Sequence, residues 1–180
     1  MKKILVVVDM QNDFITGPLG NDECRAVVPK VVDLIKNGRY DRIIYTQDTH
    51  DDDYLETNEG KHLPVKHCIV GTEGWELAKD IENAIDNTDE RITMGLTKKT
   101  FGSLFLPESL KRRNEITKNT QIDFCGVCTG ICVISNVMLT KAAAPEANIR
   151  VIADACACVT PESHERALAA MEMCHIEIVR

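Results

Sequence analysis

The amino-acid sequence predicts an α/β fold: a three-layer α/β/α arrangement in which a six-stranded, mainly parallel sheet carries helices on both faces. Two observations predict it. Apolar, strand-like runs recur at 4–8, 42–46, 91–94, 121–126, 150–153 and 176–179, and stretches of helical periodicity separate them. Alternation from end to end calls for parallel pairing, because each parallel pair needs a crossover, and right-handed crossovers lay helices over the sheet. At 180 residues, the segment 1–180 reads as a single domain able to bury roughly 70% of its unfolded surface.

In chain order, the first run, Ile4 to Val8, is bounded by Asp9 and lacks a small-residue cleavage site, so it reads as a buried strand rather than an export leader. A helix over 27–37 follows, apolar at 27, 28, 31, 32, 34 and 35 and stopped by Gly38. After the second strand comes an irregular stretch, Asp48 to Gly74, longer than ordinary connections; loops of that length in compact domains tend to be functional. Helices are expected over 75–85, 108–113, 131–144 and 162–173. The last has Thr160 as N-cap and Pro161 in the first helical position, where the missing N–H is not needed.

Hydrophobic residues make up 44% of the chain and charged residues 27%, an ordinary globular composition, and no segment has the apolar length of a membrane span. The net charge is −7, and Lys111-Arg112-Arg113 is the one basic cluster, so neither nucleic acid nor membrane is the expected partner. A small molecule is. Eight cysteines without an export signal point to a reducing cytoplasm, in which most thiols act as small buried hydrophobes and context selects any reactive one.

In parallel sheets, ligands gather beyond the carboxyl ends of the strands. Asp9 follows the first strand, Asp48 and His50 the second, Lys98 and Lys99 the third, and GVCTGICV (126–133) the fourth. Cys132 falls in the first turn of a helix, where free N–H groups and the macrodipole favour thiolate. Asp9 can take its proton, Lys98 can stabilise the charges, and the N–H groups of Cys128 and Cys132 can receive an oxyanion. Two other readings stand beside this one: Cys125, Cys128 and Cys132 as metal or iron–sulfur ligands, or as buried thiols without a role. Neither employs Asp9 and Lys98. In the long loop, Asp48, His50, Glu59 and His67 offer two carboxylates and two imidazoles, a set suited to Zn, Fe or Mn; the alternative is solvated loop polarity, given Asp51-Asp52-Asp53 and His62 nearby.

Taken together, VVVDMQNDF, YTQDTH, HCIVGTEGWEL, TKKTFGS, GVCTGICV and VIADAC occur in order through nearly the whole chain, and the chain resembles the isochorismatase-like cysteine hydrolases, most of all their nicotinamidase/pyrazinamidase branch. The resemblance implies Asp9 as general base, Lys98 as the triad lysine with Lys99 as fallback, and Cys132 as nucleophile. It also implies a cis peptide at Val127–Cys128 with the Cys128 amide in the oxyanion hole. The implied metal ligands are Asp48, His50, Glu59 and His67, with His62 as the alternative third ligand and Zn the first choice of ion over Fe or Mn. Phe14, Phe101 and Val127 would frame the substrate. Cys128 departs from the small residue usual in the family, so its side chain either narrows the pocket or pairs with Cys132 or Cys125. The implied activity is hydrolysis of nicotinamide to nicotinate and ammonia through a Cys132 thioester, in a homo-oligomer. The rivals are another C–N or isochorismatase-type hydrolysis, and a cysteine-rich metal-binding or redox protein on the same fold.

Overall fold

The structure, a computed structural model, describes residues 1–89, 92–113 and 115–180. Six strands are found among them: β1 (Lys2–Val8), β2 (Arg42–Asp48), β3 (Thr93–Lys98), β4 (Thr120–Val127), β5 (Asn148–Ala157) and β6 (Glu177–Val179). Every pairing is parallel, so the sheet is wholly rather than mainly parallel, in the order β3-β2-β1-β4-β5-β6. The chain winds outward from β1 in one direction, then returns to start β4 on the other side. That reversal leaves a crevice at the carboxyl ends of β1 and β4.

Among the described residues, seven α-helices connect the strands: α1 (Asn12–Ile15), α2 (Asp22–Asn37), α3 (Asn58–His62), α4 (Lys79–Asp86), α5 (Phe105–Arg112), α6 (Ile134–Ala143) and α7 (Pro161–Met173). α2 packs on α4, whereas α5 and α7 both pack on α6, giving the two outer layers of the α/β/α sandwich. The central strands are buried on both faces, as β1 illustrates with Ile4 to Val8 at zero exposure. No described helix is long and apolar enough to cross a membrane.

Several boundaries differ from the sequence expectation, each for a local reason. β2 and β3 run on to Asp48 and Lys98, since their polar last residues are buried at the site rather than exposed at a strand end, and β5 runs on to Ala157 because Cys156 and Ala157 still pair with Gly126 and Val127 of β4. The expected start of the third strand, Arg91, lies outside the described residues. α2 begins at Asp22 because the Asn21 side chain accepts the Cys24 N–H at 2.7 Å, an N-cap ahead of the apolar stripe. The helix expected from Trp75 starts only at Lys79, because the Trp75 carbonyl is taken by the side-chain amides of Gln11 and Gln47. The long loop is not wholly irregular: it holds a 3₁₀ turn, Tyr54–Glu56, followed by α3. At α7, Thr160 and Ser163 form a reciprocal capping box over Pro161, as the sequence implies.

Gly126 is where β4 meets β1. It sits opposite Val8, with φ at +114°, and a Cβ there would stand 2.1 Å from the Val8 carbonyl oxygen. Both the conformation and the space require glycine. Gly126→Ala is therefore expected to destabilise the fold by about 3 kcal/mol, measured by denaturant unfolding; a loss below about 0.5 kcal/mol contradicts this account of the β1–β4 junction.

Candidate active site

The strand ends converge as the topology requires. Asp9 follows β1 in a left-handed backbone conformation (φ 51°), one that Asp tolerates better than most residues. Its carboxylate is fully buried; Thr46 Oγ1 donates to Oδ1 at 2.6 Å, and Lys98 Nζ lies 2.7 Å from Oδ2. The same ammonium is 3.2 Å from Asp48 Oδ1 and 3.6 Å from Cys132 Sγ. Asp48 and Lys98 are register partners at the ends of β2 and β3. Lys99, one residue on, is exposed and pairs with Asp51, so Lys98 alone of the two faces Asp9.

Cys132 sits in a π-helical turn, Thr129–Val133, that leads into α6. The Cys128 carbonyl accepts N–H groups from Ile131 at 3.0 Å and Val133 at 3.1 Å, and the Asn136 side-chain amide donates to the Cys132 carbonyl at 2.8 Å. Wide turns of this kind are frequent at functional sites. The peptide bond Val127–Cys128 is cis.

Burial raises the Cys132 thiol well above its ordinary pKa, and the neighbouring Asp9 charge raises it further against the opposing effect of Lys98. Burial likewise raises Asp9, with Lys98 opposing. Lys98 is pulled down by burial, but the charges of Asp9, Cys132 and Asp48 outweigh this and hold it protonated. At rest the site is a thiol held protonated by burial, close to Asp9 and a fixed cation. A proton passing from sulfur to Asp9 leaves a thiolate next to the Lys98 ammonium, and both raised pKa values keep that transfer within reach.

A second group adjoins the first. Asp48, His50, Glu59 and His67 bring one donor atom each to within 4.8 Å of one another. His50 Nε2 is 3.1 Å from Asp48 Oδ2 and 3.7 Å from Glu59 Oε1; His67 Nε2 is 3.6 Å from Asp48 Oδ2 and 3.8 Å from Glu59 Oε1. Ligands about 2.1 Å from a tetrahedral ion stand roughly 3.4 Å apart, within the spread of these distances. His67 Nδ1 is 2.8 Å from the Val65 carbonyl, which can only accept, so Nδ1 carries a proton and Nε2 is the ring atom turned to the carboxylates. Two imidazoles and two carboxylates turned on one point are a donor set that fits a borderline divalent ion. Asp48 serves both groups, one oxygen on Lys98 and the other on the imidazoles. His62 stays outside the quartet, exposed, with its Nδ1 on the Asn58 carbonyl.

A cleft of about 980 Å³ opens over the quartet, with His50, Glu59, Phe101 and Ile131 on its walls. Phe101 is 45% exposed on that wall, Phe14 stacks 5.5 Å from the His67 ring, and Val127 is fully buried at the end of β4. Cys128 is not paired with Cys132 or Cys125, all eight cysteines being free, and its thiol is pushed up by Cys158 and Cys24.

Four contributors escape a reading by residue type alone. Gln11 clamps Asp48 by accepting its N–H at 2.7 Å and donating to its carbonyl at 2.9 Å. Thr46 holds Asp9, Asn136 holds the Cys132 turn, and the Tyr54 ring lies 4.6 Å and 4.9 Å from those of His50 and His67. Only Gln11 carries a sequence signal, two residues beyond Asp9 in the same motif.

An "Isochorismatase domain" family profile matches residues 3–179. Solved structures share the fold. Nicotinamidase/pyrazinamidase PncA from Bacillus subtilis is 24% identical with a TM-score of 0.88, each chain covered completely. Pyrazinamidase of Pyrococcus horikoshii, solved in complex with zinc, is 26% identical with a TM-score of 0.77, covering 100% of this chain and 99% of that one. N-carbamoylsarcosine amidase from Thermoplasma acidophilum is 22% identical with a TM-score of 0.74, covering 100% and 96%. No curated protein matches the chain significantly by sequence.

The quartet makes its own prediction. The purified protein is expected to retain about one equivalent of divalent metal per chain, and His67→Ala or Asp48→Ala to lose most of it, by elemental analysis. Equal metal content in wild type and both variants contradicts the assignment.

Proposed function

The chain belongs to the isochorismatase-domain family, and we propose that within it the protein is a cysteine-dependent amidohydrolase converting a small carboxamide, first of all nicotinamide, to the acid and ammonia. One observation carries the reading: Lys98 joins Asp9, Cys132 and the metal quartet through contacts of 2.7, 3.6 and 3.2 Å, so nucleophile, base and a substrate anchor share one buried cation.

Asp9 takes the Cys132 proton as sulfur attacks the amide carbon. The N–H groups of Cys128 and Cys132 receive the developing oxyanion, and Lys98 balances the charge that stays on the Asp9–Cys132 pair. Asp9 then returns its proton to the departing nitrogen, ammonia leaves, and a thioester remains on Cys132. Water, deprotonated by Asp9, attacks that thioester; the acid departs and the thiol regains its proton. A divalent ion held by Asp48, His50, Glu59 and His67 would supply a Lewis-acidic anchor for a ring nitrogen. Phe14 against the His67 ring and Phe101 on the cleft wall would frame a ring held at that anchor, and this favours an aromatic heterocyclic amide over an open-chain ureide.

Ammonia release from nicotinamide by the wild type is the expected outcome, with Cys132→Ala reducing turnover by roughly 10³-fold or more while remaining folded. Full activity in Cys132→Ala would sink the nucleophile assignment. Silence of the wild type towards nicotinamide and other heteroaromatic amides, with turnover of a ureide, would overturn the substrate class.

A further inference from the structure

The two imidazoles of the quartet are joined through the backbone. The Cys68 carbonyl accepts the His50 N–H at 2.9 Å and the His50 carbonyl accepts the Val70 N–H at 2.9 Å, so the segment after His67 lies along His50 as one short parallel bridge. Cys68, directly after His67, is fully buried and has a left-handed backbone conformation, φ 46°. Few residues other than glycine, asparagine and aspartate adopt it, and it persists where the surroundings impose it.

Asp13 holds that peptide from outside the quartet. Its Oδ2 accepts the Cys68 N–H at 2.7 Å, a charge-assisted bond from a donor on the backbone. The carboxylate is itself fixed from several sides. Asp13 donates its own N–H to the Gly74 carbonyl at 3.0 Å, and its carbonyl accepts the Leu19 N–H at 3.0 Å. Asn12 beside it gives its N–H to the Glu76 carbonyl at 2.9 Å and its side-chain amide to the Glu73 carbonyl at 2.8 Å. Gly74 leaves room for the carboxylate, since a Cβ there would stand 2.2 Å from Oδ2. Phe14, next in the chain, places its ring 5.5 Å from that of His67.

We propose that Asp13 is a positioning residue: through the Cys68 peptide it aims the His67 imidazole into the quartet and fixes the bridge to His50. It supplies no ligand atom. With the acceptor removed, Cys68 relaxes towards negative φ, and the rotation passes to His67 on one side and to the His50 contact on the other. Groups that orient ligands from behind in this way are typically worth 10–100-fold in metal affinity. That consequence rests on the quartet holding a divalent ion; the holding of Cys68 does not.

The test measures zinc affinity of the metal-stripped full chain by competition with a chromophoric chelator, beside hydrogen-exchange mass spectrometry of the metal-free protein. Asp13→Ala should bind zinc roughly 10–100-fold more weakly and exchange about tenfold faster over residues 65–72, with β4 unchanged. Asp13→Asn keeps an acceptor oxygen without the charge and should stay within about fivefold of wild type in affinity. Gly74→Ala pushes the carboxylate away without deleting it, and should weaken zinc in the same direction as Asp13→Ala. Unchanged affinity in Asp13→Ala, an equal loss in Asp13→Asn, or faster exchange throughout the chain would each overturn the proposal. A wild type that binds no zinc would sink the quartet instead, and exchange over 65–72 would then decide the role of Asp13: a rise confined there supports it, and no rise overturns it.

Discussion

The Lys98 ammonium is the constraint around which the site is arranged. Its side chain is 1% exposed, and an unpaired ion so placed would be strongly destabilising, so it stands only because Asp9 and Asp48 meet it from adjacent strand ends. Those carboxylates would in turn repel one another without it. Parallel pairing of β2 with β3 sets Asp48 beside Lys98, and pairing of β1 with β2 brings Asp9 alongside. The pairing of β1 with β4 then delivers the Cys132 turn to the opposite wall of the crevice. A buried cation of this kind does little for net stability, but it specifies which strand ends must meet and in what register.

Sharing Asp48 between Lys98 and the imidazoles has a chemical consequence. Burial acts to raise its carboxyl, yet hydrogen bonds from His50 and His67, together with Lys98, hold it well below the usual carboxylate range. Asp48 therefore remains an anion while Asp9, of the same residue type and similarly buried, is raised and free to exchange a proton. Two carboxylates a few ångströms from one cation are thus set apart by their surroundings, one suited to hold a cation and the other to exchange a proton. The cysteines divide in the same manner. Burial pushes the Cys132 thiol up, whereas the Cys158 thiol is drawn down, by Cys128 first and then by the Ser163 hydroxyl and backbone N–H groups.

Much of this was legible from residue types placed after apolar runs. Asp9, Asp48, His50 and the Cys132 segment each follow a strand of recognisable hydrophobicity, and parallel topology sends such positions to one edge. The strand boundaries at Asp48 and Lys98 were harder to read, because a buried charge at a strand end looks like the first residue of a loop until its partners are known. Thr46 and Asn136 were illegible as site residues, and Gln11 was marked only by its place beside Asp9, for a related reason: each acts through one or two hydrogen bonds that its residue type does not announce. Trp75 falls where a helix should begin, and its carbonyl is instead spent on Gln11 and Gln47.

The most direct test of the central claim, that Asp9, Lys98 and Cys132 form one acyl-transfer device, is to trap the intermediate. Acid quenching during turnover of nicotinamide, followed by intact-mass and peptide analysis, should reveal an acyl adduct of about 105 Da on Cys132 and on no other cysteine. Steady hydrolysis with no adduct there, or with the adduct on a different residue, would contradict the account.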